Sequence, residues 1–168
     1  MSTRATIART TEGNAFRGRY NHFDGYPSGV GMGIIRAIGH YGLDRAKQIL
    51  LDEHPAGWSN VATCDWSKEI GYVEDLYAKD QDRPQCYCHG DRNEEGWMVD
   101  SVADADNMSI EWAYVFNDAD DTLKVYEHND SKWEWRGTVD LTSRLGHKSE
   151  IQMARIQENL DKSLSLTA

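Results

Sequence analysis

The sequence predicts an α+β fold, a single domain over residues 1–168 in which a largely antiparallel sheet is covered by helices. Three observations carry that prediction. Apolar and polar residues alternate near the N-terminus and again over 109–141, the period of a half-buried strand. Elsewhere the apolar spacing widens to that of an amphipathic helix. The chain of 168 residues, 39% hydrophobic and 10% aromatic, suffices to bury one core without cross-links.

The elements follow in order. "TRATIARTT" (3–11), the short loop "EGN" and "AFRGRYNHF" read as a hairpin. On its second strand Phe16, Gly18, Tyr20 and His22 share one face; Arg17, Arg19, Asn21 and Phe23 share the other, which is expected to be wet and basic. From Pro27, Val30, Ile34, Ile38 and Tyr41 recur at helical spacing, and "YG" at 41–42 is a stop signal. "LDRAKQILLDE" (43–53) predicts a second short helix, and 54–66 a loop with room for a short strand. "SKEIGYVEDLYAKD" fits helix and strand equally, while "DRPQCYCHGDRNEEGWMVDS" reads as a hairpin around "GDRNEEG". "SIEWAYVFN", "TLKVYEHN" and "DSKWEWRGTVDL", separated by polar turns, predict a three-stranded antiparallel meander with Ile110, Trp112, Tyr114 and Phe116 on one face. Ser149 and Gln152 have the spacing of a capping box before a helix striped by Met153, Ile156, Leu160 and Leu164.

Charge narrows the function classes. A formal charge of -10 argues against direct nucleic-acid binding, which needs Lys and Arg to neutralise phosphate. No run has the length of a membrane span, and "MSTRATIART" lacks a signal-peptide apolar segment, so the expectation is a cytoplasmic protein. Cys64, Cys86 and Cys88 are an odd set with no disulfide expected. Cys86, Cys88 and His89 lie close in sequence, with Cys64 and His54 available from elsewhere. Cys-x-Cys is tighter than usual zinc spacing, so both thiols read as small hydrophobes on a strand and no metal or cofactor is expected. Asp118, Asp120 and Asp121 read as a solvated turn, because Leu123 and Asn129 stand where a calcium loop needs Gly and Glu.

"RYNHFDGYPSGVGMG" (19–33) concentrates the chemistry. Gly29, Gly31 and Gly33 could bring helix-start amides to a phosphate, although the surrounding hairpin is not the βαβ unit of a dinucleotide fold. His22 and Asp24, two apart, could form an acid/base pair or part of a metal site. Tyr20, Phe23 and Tyr26 offer ring faces, and Arg17 and Arg19 offer guanidinium groups, for a nucleobase and its phosphate.

Ser2, Thr3, Arg4, Ala5 and Ile7, followed by Tyr20, His22, Asp24, Gly25, Tyr26, Pro27 and Gly29, resemble a family of small, mostly uncharacterised bacteriophage and bacterial proteins. Its members open with Ser/Gly-Thr-Arg-Ser/Ala and then carry Tyr-x-His-x-Asp-Gly-Tyr-Pro. Phe23 stands where relatives often have Trp or Ser, and the late strands "EWAYVFN" and "LKVYE" also fit. The resemblance implies a phage or mobile-element origin and transfers no activity. It directs attention to Arg4 and His22, which a turn alone would not require.

The resulting expectation is a non-catalytic protein that counters host defence in the host cytoplasm by sequestering a phosphate-bearing nucleotide signal. Its site would comprise Arg4, Arg17, Arg19, Tyr20, His22, Asp24, Tyr26, Gly29 and Gly31. One alternative is an acidic inhibitor of a basic host defence protein, such as a CRISPR effector or nuclease, using acids at 80–82, 91–95, 104–106 and 118–121. A second is a small hydrolase using His22 and Asp24. Self-association is compatible with each.

Overall fold

The computed structural model describes residues 2–13, 15–72, 82–88, 97–106, 109–142 and 146–167. Alternation near the N-terminus produces β1 (Ala5–Thr10) and β2 (Ala15–Asn21), an antiparallel hairpin paired from Ala5 with Asn21 to Thr10 with Phe16. A wide π-type turn, Pro27–Gly31, leads into α1 (Met32–Tyr41), which stops at Gly42 as expected. Helix α2 (Leu43–Lys47) continues through a second wide turn, Gln48–Asp52. Four short strands follow: β3 (Trp58–Asn60), β4 (Gly71–Tyr72), β5 (Gln85–Cys86) and β6 (Met98–Ser101). The meander is β7 (Trp112–Asn117), β8 (Thr122–Asn129) and β9 (Lys132–Asp140), and α3 (Gly146–Thr167) closes the fold.

The strands join one open sheet in the order β4-β5-β3-β2-β1-β7-β8-β9, with β6 branching beside β2. The architecture is α+β, but the sheet is mixed rather than largely antiparallel. β1 pairs β7, β2 pairs β3 and β4 pairs β5 in parallel. Hairpin and meander keep their internal antiparallel pairing and meet through β1 and β7. Alternation reveals a strand and its faces; the direction of its distant neighbour depends on where the intervening chain crosses.

That join aligns two cores. Ile7 pairs with Tyr114 and Ala8 with Val115. Ile7, Tyr114, Phe116 and Val125 therefore face Val30, Ile34, Leu50, Met153 and Ile156 beneath the helices. Ala8, Phe16, Ala113, Val115 and Trp133 form a smaller cluster on the opposite face. Ile110 packs in the smaller cluster, not with Trp112, because it precedes β7 and escapes the strand's alternation.

Two other expectations change. Residues 90–96 lie outside the described residues, but the strands flanking them do not form a hairpin: β5 pairs β3 and β4, whereas β6 pairs β2. Helix α3 begins at Gly146, so Ser149 is already inside it. The Ser149 hydroxyl donates to the Asp140 carbonyl at 2.7 Å, and the Asp140 amide donates to Gln152 Oε1 at 2.9 Å. The two residues that read as a cap instead fasten α3 to the end of β9. No helix among the described residues is long and apolar enough to cross a membrane.

Candidate functional site

The N-terminal motif and the Asp-Gly-Tyr-Pro turn are one structural unit. Gly25 donates its amide to the Thr3 carbonyl at 2.8 Å, and the Arg4 carbonyl accepts from the Glu111 and Trp112 amides at 3.0 and 3.3 Å. A Cβ on Gly25 would stand 2.8 Å from the Arg4 carbonyl carbon, so the close approach requires glycine. From beneath, the buried Tyr114 hydroxyl donates to the Gly25 carbonyl at 2.6 Å. Burial drives that phenol well above its ordinary pKa, which keeps it a donor.

This unit brings Arg4, Tyr20 and His22 together. Thr6 pairs with Tyr20, and Arg4 and His22 lie two residues along from them on the same face. Tyr20 Oη lies 2.5 Å from His22 Nδ1. Burial raises the Tyr20 pKa, opposed by the Arg4 charge and assisted by Tyr87. Burial, followed by Arg4, lowers that of His22. The shifts favour a neutral phenol beside a neutral imidazole, and in the tautomer where the phenol donates to Nδ1 the His22 proton stands on Nε2. Arg4 makes no ion pair among the described residues, and its Nε is buried without a hydrogen-bond partner. Phe23, 43% exposed, sets its ring edge-on to His22 at 4.5 Å. The cluster offers hydrogen-bond donors and a positive charge unpaired among the described residues, beside an exposed ring, a surface matched to an oxyanion on a flat group.

Other expected site residues are placed differently. Arg17 and Arg19 lie on the opposite face of β2 from Tyr20, as alternation requires. That face is not uniformly wet: Arg19 is 2% exposed and donates to the Leu51 carbonyl at 2.8 Å and the Pro55 carbonyl at 3.1 Å. Its guanidinium lies 3.4 Å from the centre of the Trp97 ring, with exposed Arg17 at 4.8 Å from the same ring. Arg19 is therefore a buried brace between β2 and the segment after α2.

The helix start is also committed to internal contacts. Ser28 donates its amide to Gln157 Oε1 at 3.2 Å, Gly29 to the Tyr26 carbonyl at 2.9 Å, and Val30 to the Asp24 carbonyl at 2.8 Å. A Cβ on Gly29 would stand 2.0 Å from the Asp24 oxygen, and one on Gly31 2.7 Å from the Met153 sulfur. The glycines bring turn and helices close together, and their amides do not form an anion cradle. Asp24 adopts φ +53° to turn the chain, and its carboxylate accepts from the exposed Tyr26 hydroxyl at 3.2 Å. His22 and Asp24 consequently engage different tyrosines and do not form a pair.

The cysteines separate as well. Cys64 donates to the Val61 carbonyl at 3.3 Å, and burial pushes its thiol up to about 12. Cys86 and Cys88 meet His54: Nδ1 of His54 is 3.1 Å from Cys88 Sγ, which is 3.2 Å from Cys86 Sγ. His89 lies outside the described residues. At the 118–121 turn Asp118 pairs with Lys47 at 2.9 Å and Asp120 accepts from Thr122, in keeping with a hairpin turn.

Sequence reasoning missed Thr6 and Tyr87. Thr6 was discoverable, since hairpin register opposes it to Tyr20; it is buried and its hydroxyl has no partner. Tyr87 left no signal, because it reaches Tyr20 only through the pairing of β3 with β5. Comparison with protein families, curated proteins and solved structures finds no match to this chain.

Proposed function

We propose that the protein binds, without transforming, a phosphate-bearing nucleotide at Arg4, Tyr20 and His22, and that it sequesters this molecule to counter host defence. The observation that carries the binding reading is Arg4: a guanidinium with a buried, unpartnered Nε and no ion pair among the described residues, in a chain of net charge -10. A buried donor without an acceptor costs about 1–3 kcal/mol, and an oxyanion would recover it. His22 Nε2 supplies a second donor, and Phe23 and Tyr26 supply ring faces for a base. The phage and counter-defence setting draws on the resemblance of the N-terminal motifs. Separation of Asp24 from His22 weighs against the hydrolase alternative.

Thermal shift against inorganic phosphate, mononucleotides and phosphodiester-linked dinucleotides tests the reading. At a ligand concentration near 100 times Kd, the stabilisation is about 2.7 kcal/mol, a rise of roughly 5–10 °C for a chain of this size. Arg4→Met is expected to abolish the rise, whereas Arg4→Lys, which keeps charge without the planar fork, retains part of it. A flat screen of the wild type, or a shift that persists in Arg4→Met, refutes the assignment. The acidic-inhibitor alternative draws on the acids at 80–82, 91–95, 104–106 and 118–121; positions 80, 81 and 91–95 lie outside the described residues, and Asp82, Asp104, Asp106, Asp118 and Asp120 are exposed. It predicts no nucleotide shift but recovery of a basic protein from host lysate.

A further inference from the structure

We propose that His54, Cys86 and Cys88 form a binding site for a thiophilic divalent cation, zinc above all. The three donor atoms lie within 4.8 Å of one another. With metal–sulfur bonds near 2.3 Å and metal–nitrogen bonds near 2.0 Å, the edges of a tetrahedral site measure about 3.5–3.8 Å. To admit the ion, the His54–Cys88 and Cys88–Cys86 separations of 3.1 and 3.2 Å open by about half an ångström, while the remaining His54–Cys86 edge, which lies within 4.8 Å, closes by no more than about 1.3 Å. The pair of thiols with an imidazole is the donor chemistry zinc selects.

The Cys-x-Cys spacing alone did not reveal this site, because its third donor comes from another segment. Trp58 of β3 pairs with Cys86 of β5, and the Tyr87 amide donates to the Gly57 carbonyl at 3.1 Å. Gly57, at φ +83°, donates its own amide to the His54 carbonyl at 3.0 Å. This ladder holds the backbone carrying all three donors before any cation arrives. The Trp58 ring lies 4.6 Å from the His54 ring and is itself held by Nε1 donating to the Leu50 carbonyl at 3.1 Å. Such neighbours fix the rotamer of a ligating histidine. Packing as small hydrophobes accounts for buried Cys86, but it gives no reason for an imidazole nitrogen aimed at the half-buried Cys88 sulfur.

Binding exchanges each S–H bond for a sulfur–metal bond and releases the two protons to solvent, so a divalent ion and two thiols yield a centre with no net added charge. The cation would tie the loop after α2 to the β3–β5 strand pair, next to Tyr87 and apart from the Arg4 cluster.

The full chain, reduced and stripped with chelator, is titrated with cobalt(II) and then zinc(II). Expected are thiolate-to-cobalt charge-transfer absorption saturating at one equivalent, its loss on adding zinc, and a rise in Tm with zinc concentration. Cys88→Ser and His54→Gln are expected to weaken cobalt binding by about tenfold or more. Cys88 is half-buried, so the metal-free Tm of Cys88→Ser reports whether the fold survives. Absence of the charge-transfer band in the reduced wild type overturns the proposal. Cobalt affinity unchanged by Cys88→Ser, or a Cys86–Cys88 disulfide in a chain that binds no cation after reduction, overturns it equally.

Discussion

His22 and Tyr20 show how two side chains set each other's chemistry. The Tyr20 phenol holds Nδ1, while burial and the Arg4 charge depress the His22 pKa below its ordinary 6.5. The unfolded chain therefore takes up a proton before the folded one as pH falls below 6.5. Neutral His22 contributes stability above that value, and the contribution is lost as pH falls through the lowered folded pKa. Binding an anion has the opposite sign, because imidazolium attracts it. Affinity for a phosphodiester nucleotide, whose own charge stays constant, is expected to rise between about pH 8 and 5.5. Calorimetry across that range checks this, and His22→Gln should flatten the profile. Tyr114→Phe would leave the buried Gly25 carbonyl without its donor and cost about 1–3 kcal/mol by urea denaturation.

At the scale of elements, the alternate glycines before α1 perform different tasks. A Cβ at position 29 would meet the rigid carbonyl of Asp24, whereas one at 31 would meet the flexible end of Met153. Gly29→Ala is expected to destabilise by about 3 kcal/mol and Gly31→Ala by about 1 kcal/mol or less, read from denaturation midpoints. Helix α3 behaves similarly as an unequal element. Met153 and Ile156 are buried against the sheet, but Leu164 is 69% exposed, so the apolar stripe outruns the surface that covers it. Met153→Ala should cost about 2–5 kcal/mol, while Leu164→Ala should change stability by no more than about 0.5 kcal/mol. The spacing of the stripe was legible in the sequence. Where its cover ends depends on the reach of β9 and β8, which spacing does not encode.

Across the whole molecule, the sequence alone determined the hairpin, the helical stretch that begins at Pro27 and ends at Tyr41, the meander and the amphipathic C-terminal helix. Each is a local pattern, in which a period of two or of 3.6 leaves its mark within one short stretch. The sequence also singled out Arg4, Tyr20 and His22 as worth testing, but gave Arg19, Gly29 and Gly31 the same weight. Tertiary structure separated them, because the contacts that engage Arg19 and the glycines come from Leu51, Pro55, Asp24 and Met153, and burial is a property of the assembled chain. The parallel joining of β1 to β7 and the meeting of His54 with Cys86 and Cys88 belong to the same class of fact. Both bring together segments far apart in sequence, and no local period records which distant partner a strand edge or a donor atom will find once the core closes.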